Sequence, residues 1–141
     1  MKWHKDRFTI STDPEKLQLE AITSALAELY WSSNRSPEII RRSIQHSLCF
    51  GVYEGATQIG LARVITDHAT FAYICDVYIL ESHRGRGLGK WLMHVIITHP
   101  DLEGIRRFAL LTKDAHGLYE GVGFTGLRQP ERWMERLREN A

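Results

Sequence analysis

His83-Arg84-Gly85-Arg86-Gly87-Leu88-Gly89-Lys90 sets three glycines at alternate positions, with Arg84, Arg86 and Lys90 beside them. The run before it, Phe71 to Leu80, is almost continuously apolar and aromatic, as in a central strand covered on both faces. After it, Leu88, Trp91, Leu92, Val95 and Ile96 recur at helical spacing up to Pro100. The stretch is therefore a turn from a buried strand into an amphipathic helix. Helix starts carry unpaired N–H groups and partial positive charge, so they attract phosphates. Glycines there allow positive φ and close approach of an anion. A tight surface turn with solvated charges has the same composition, and three alternate glycines at a strand-to-helix junction favour the anion site. A Walker A loop does not fit, because Arg84 stands where its first glycine belongs and Trp91 follows Lys90. A dinucleotide fingerprint fails too, with Lys90 in place of its third glycine.

Outward from this turn, the pattern predicts a mixed α/β sheet with helices on both faces. Arg7 to Ser11 reads as a first strand. Asp13-Pro14 reads as the start of a helix running to about Tyr30, carried by Leu19, Ile22, Leu26 and Leu29. Ser36-Pro37 opens a second helix with Ile40 and Ile44 on one face. Leu48–Tyr53, Thr57–Ile65 and Phe71–Leu80, joined by short turns, form an antiparallel meander. Beyond the glycine turn and its helix follow a strand from Arg107 to Thr112, a short helix from Ala115 to Gly121 and a strand from Phe124 to Leu127. Glu131 to Arg138 is open between helix and edge strand. The expected order is β-α-α-β-β-β-α-β-α-β.

The 141 residues suit one domain, 1–141, able to bury a core without disulfides or a structural metal. A formal net charge of +1 speaks against a nucleic-acid binder, so any anion must be bound by a local site. Cys49 and Cys75 lie in apolar runs with no Cys-x-x-Cys spacing, as buried thiols of a reducing compartment do. The N-terminus has no apolar signal stretch, and no run is long enough to span a membrane; a soluble, cytoplasmic protein is expected. The seven histidines are scattered without a ligand set, so no metal is expected.

Arg84-x-x-Gly87-x-Gly89 resembles the coenzyme A pyrophosphate loop of the GNAT N-acetyltransferase superfamily. The strand residues Cys75-Asp76-Val77-Tyr78-Ile79-Leu80 resemble the family's central strand. Asp114 to Phe124, with Tyr119 ahead of Gly123-Phe124, resembles its second signature. The element order matches the fold over most of the chain. The resemblance implies an acetyl-CoA-dependent N-acetyltransferase in which Val77, Tyr78 and Ile79 present backbone groups to the pantetheine arm. It also implies a bulge that frees an N–H for the thioester oxygen, and a pyrophosphate held by Arg84, Gly85, Arg86, Gly87, Leu88, Gly89 and Lys90. Tyr119 matches the general acid that protonates the departing thiolate, for which a phenol near pKa ~10 is well matched; a core tyrosine is the plain alternative. Asp114 replaces a frequent asparagine that contacts the pantetheine, and an ionised aspartate accepts without donating.

Asp76 stands inside an apolar strand. Desolvation would raise its pKa and make it a base; a structural carboxylate bonded to a neighbouring loop fits equally well. Glu28, Glu54 and His116 are weaker bases, and ordered water is an alternative to any of them. Between the first two helices, Tyr30, Trp31 and Arg35 are candidate acceptor residues, with Arg35 able to clamp a carboxylate bidentately; a packed aromatic and a solvated arginine are the bland reading. The expected substrate is a small-molecule amine, amino-acid-like if Arg35 clamps it, with no nucleic acid or membrane partner. An edge strand or the C-terminal segment would suit a homodimer. A non-catalytic acyl-CoA sensor and a protein N-acetyltransferase are the rival functions.

Overall fold

A computed structural model describes residues 1–29 and 34–138. Strand β1 (Lys2–Lys5) pairs with β2 (Phe8–Ser11), and β3 (Leu48–Glu54), β4 (Thr57–Thr66), β5 (Phe71–Ile79) and β6 (Arg107–Leu110) complete a six-stranded sheet in sequence order. Every pairing is antiparallel except β5 with β6. Helices α1 (Leu19–Ala27) and α2 (Pro37–Gln45) precede β3; α3 (Leu88–Ile97) links β5 to β6, and α4 (His116–Glu120) follows β6. The α/β class and the meander expected from the sequence are present.

Two apolar clusters divide the sheet. Leu88, Leu92, Met93 and Ile96 of α3 pack with Phe50, Val52, Val64, Ala72 and Ile74 on one face. Ile22 and Leu26 of α1 and Ile40 of α2 pack with Leu61 and Tyr78 on the other. Each fully buried Val, Leu, Ile, Phe or Met among them contributes roughly 1.5–3 kcal/mol.

Five segments differ from the sequence expectation. The strand β1 was not foreseen, because Lys2-Trp3-His4-Lys5 carries little apolar signal and is mostly exposed. Asp13 caps only a short 3-10 turn, Pro14–Lys16, and extended backbone at Leu17 and Gln18 delays α1 to Leu19. Residues 124–127 form no strand, and Glu131 to Arg138 has one 3-10 turn, Pro130–Arg132, at its start and no regular structure after it. In β5, burial alternates instead of covering both faces: Tyr73, Cys75, Val77 and Ile79 are only half-buried.

The β4–β5 approach depends on Gly60. A Cβ there would lie 2.8 Å from the Tyr78 carbonyl oxygen and 2.8 Å from Ile79 Cδ1. Backbone cannot yield as a side-chain end can, so Gly60→Ala is expected to cost roughly 1–3 kcal/mol. A thermal scan should show the midpoint falling by several degrees; an unchanged midpoint would mean the strands part freely at this point.

Candidate active site

The decisive feature lies in β5. Leu61 pairs with Tyr78 and Arg63 with Cys75, so β5 carries one residue too many opposite Ala62. The bulge is taken up at Asp76, which sits at φ +51, a left-handed conformation that aspartate tolerates better than most residues. Alternation changes phase here. Before the bulge Ala72 and Ile74 join the α3 cluster; after it Val77 and Ile79 pack against that cluster while Tyr78 turns to the other face. On the opposite edge, β6 pairs with β5 only from Phe71 to Ile74. From Cys75 to Ile79 that edge of β5 has no strand beside it among the described residues.

A cleft of about 1100 Å³ opens where the strands part. Asp76, Val77, Tyr78 and Ile79 form one wall, Asp114 and Tyr119 the other, and Arg84 and Gly89 stand toward α3. Arg84 Nε donates to the Ile79 carbonyl at 3.0 Å, tying the glycine turn to the end of β5. Gly87 caps α3 at φ +76 with no side chain to bond its first-turn N–H groups, which are left for an external acceptor. Gly85, Arg86 and Lys90 are exposed outside the cleft lining, whereas the Leu88 side chain is buried in the core and leaves only its backbone to the turn.

Tyr119 is held by α4, its ring edge-on to Phe124 with centroids 6.0 Å apart. The Phe124 N–H donates to the Tyr119 carbonyl at 3.1 Å, which explains why an aromatic after Gly123 goes with the tyrosine. Asp114 is exposed at the cleft, and the neighbouring Ala115 N–H is bonded by Thr112 Oγ1 at 3.0 Å. Tyr30 and Trp31 lie outside the described residues.

Asp76 is 4% exposed and heavily engaged. Arg35 Nη1 and Nη2 donate to its two oxygens at 2.8 and 2.6 Å, and Arg63 Nε donates to Oδ2 at 2.8 Å. Burial pushes the carboxyl upward, but the hydrogen bonds and charges of Arg35 and Arg63 together outweigh it and hold Asp76 below the usual carboxylate range. The expectation of a raised pKa is thus corrected: desolvation is present but the paired cations win. Arg35 likewise offers no empty fork to an acceptor carboxylate, since both terminal nitrogens are spent on Asp76, which also raises its own pKa.

Arg63 was the residue missed by sequence reasoning. An arginine in one apolar strand and an aspartate in the next was the available signal, but only the register brings them together. Burial also pushes the Cys75 thiol up to about 11, so it is not a thiolate at neutral pH. No histidine lines the cleft among the described residues.

Because the folded Asp76 has the lower pKa, its stabilisation is present above the unfolded value and lost as pH falls through the folded one. Urea midpoints of the wild type should therefore decline below about pH 4, and Asp76→Asn should be less stable at neutrality with a flatter acid limb. An identical acid limb in the variant would remove Asp76 as a source of the decline.

No helix among the described residues is long and apolar enough to cross a membrane, and no group of three or more His, Cys, Asp or Glu side chains there could hold a metal ion. The profile of the Acetyltransferase (GNAT) family matches residues 17–124. A GNAT-family structure from Xanthomonas campestris pv. campestris, a candidate acetyltransferase, is 45% identical over 93% of each chain with a TM-score of 0.90. A candidate acetyltransferase of Gibberella zeae is 34% identical over 90% of this chain and 84% of its own. A GNAT acetyltransferase from Elizabethkingia anophelis, solved with acetyl-CoA bound, shares the fold at 16% identity, covering 96% of this chain and 91% of that one, with a TM-score of 0.68. The family match takes in both the glycine turn of α3 and the segment that carries Tyr119, and the chain belongs to the GNAT acetyltransferase family.

Proposed function

We propose that the protein transfers the acetyl group of acetyl-coenzyme A to a primary amine of a small molecule, both bound together in the cleft. The observation that carries this reading is the parting of β5 from β6 beside the Asp76 bulge, with Tyr119 on the facing wall. The residues suit acetyl-CoA. An unpaired strand edge at Val77, Tyr78 and Ile79 can bond the amide groups of a pantetheine arm as an added strand would. The glycine-capped start of α3, with Arg84, Arg86 and Lys90 nearby, suits a pyrophosphate.

Acetyl-CoA would supply the acyl group activated as a thioester. The amine nitrogen forms a bond to the acyl carbon, the carbon–sulfur bond breaks, and the amine gives up one proton. Backbone N–H groups at the bulge stabilise the negative charge that gathers on the acyl oxygen; one such donor is worth about 3–4 kcal/mol. Tyr119 supplies a proton to the departing sulfur. Asp76 is not assigned the base, because its oxygens are already occupied by guanidinium groups; the amine's proton goes to solvent in the open cleft. The protonated state of Cys75 supports direct transfer over an acyl-cysteine route. Glu28 and Asp114 line the cleft and form no ion pair among the described residues, so they favour an acceptor that arrives as an ammonium; it gives one proton to solvent before its nitrogen can attack, in addition to the one lost on transfer.

Calorimetric titration with acetyl-CoA, followed by thiol release against a panel of small amines, tests the proposal. Micromolar binding with thiol release on one of the amines supports it. Binding without turnover points to a sensor or a protein substrate, and no binding overturns the cofactor assignment.

A further inference from the structure

The ion pairs around Asp76 form part of a longer chain of contacts that reaches both ends of α2. Arg35 immediately precedes Ser36, whose hydroxyl accepts from the Ile39 N–H at 3.2 Å and so caps the helix. At the other end, Ser47 Oγ donates to the Ser43 carbonyl at 2.6 Å and accepts from Arg63 Nη1 at 3.1 Å. Arg35 and Arg63 then meet on the one carboxylate. Asp76 is thereby gripped from two directions, by the neighbouring strand β4 and by the segment leading into α2.

We propose that this double grip holds the left-handed bulge at Asp76 and so aims the adjoining Val77 N–H at the acyl oxygen, making Asp76, Arg35 and Arg63 positioning residues for acetyl transfer. The inference rests on the transfer reading above.

A left-handed non-glycine residue costs roughly 1–2 kcal/mol and persists only where its surroundings fix it. Here the fixing groups are two charge-assisted contacts on one side chain, one of them bidentate, in a setting where the carboxylate side chain is 2% exposed. Without them, the extra residue opposite Ala62 has little to prevent the ladder from redistributing the bulge along β5. A shift of one position would carry the Val77 N–H away from the cleft, since successive strand residues face opposite ways. Removing a buried partner outright also leaves uncompensated charge, so Arg63, with a side chain 12% exposed, is the wrong place for a first test; Arg35, at 24%, is better.

The experiment compares wild type, Arg35→Gln and Arg35→Lys by steady-state kinetics, acetyl-CoA titration and ¹⁵N–¹H spectra of the enzyme. Arg35→Gln should lower kcat about tenfold or more, as loss of a donor's aim does, while the acetyl-CoA Kd stays within about twofold and the Val77 amide peak moves. Arg35→Lys, which keeps the charge but not the fork, should recover part of the lost kcat. If Arg35→Gln does not fold, Arg35→Lys carries the test with a smaller loss of the same kind. A kcat unchanged with the Val77 peak unmoved would overturn the inference, as would equal losses in turnover and acetyl-CoA affinity. The spectra need no turnover. A wild type that acetylates none of the amines sinks the transfer reading, whereas an unmoved Val77 peak sinks the positioning role.

Discussion

Tyr119→Phe is expected to lower kcat by at least tenfold and toward about 100-fold, the lower range for loss of a general acid. The acetyl-CoA Kd should hardly change. The substitution removes one oxygen and keeps the ring, so the edge-on contact with Phe124 survives and α4 stays in place. What is lost is the proton for the departing sulfur, which then leaves as a thiolate into a partly desolvated cleft. A sharper signature follows from the chemistry: an acyl donor with a more acidic thiol needs less protonation, so the deficit should shrink with such a donor. Stopped or steady-state thiol release on the two donors makes the comparison. An unchanged kcat would remove Tyr119 from the acid role and leave it as a wall of the cleft.

Gly87→Val should weaken acetyl-CoA binding about 100-fold or more, in line with losing several backbone bonds to a charged ligand, with a far smaller effect on stability. Gly87 is exposed, and a Cβ there would touch nothing within 4 Å, so no internal clash unfolds the protein. The cost is conformational: at φ +76 a β-branched residue is strained, and the turn relieves it by moving. The first-turn N–H groups of α3 move with it, and the new methyls face the anion's approach. Calorimetry gives the affinity and a thermal scan the stability. Retained affinity would mean the pyrophosphate is held elsewhere.

These two candidates could be picked out in the sequence for a reason that does not apply to the whole cleft. The glycine turn is a local device: its glycines, cations and following helix lie within eight residues, and their conformational needs follow from residue type. Tyr119 was legible through Gly123-Phe124, a contact closed within one helical turn and its exit. The helix starts at Ser36-Pro37 and Gly87 were equally plain, since caps act on their nearest neighbours. Weak local signals misled where nothing nearby opposed them. Asp13-Pro14 caps a turn whose helix does not continue, and residues 124–127 join no strand of the sheet.

By itself, then, the sequence determined the order of the meander and the helix that follows the glycine turn, and it marked that turn as the candidate anion site, because each rests on patterns within a few residues. Only the tertiary structure decided what Asp76 does. Its burial was readable from the apolar strand around it, and burial alone pointed to a raised pKa. The opposite direction comes from Arg63 on β4 and Arg35 ahead of α2, respectively 13 and 41 positions away in the chain. The register of β4 against β5 and the seating of α2 bring those charges within hydrogen-bond distance. An ion pair forms only between groups that the fold has already placed together, and it reverses the sign that desolvation alone would give.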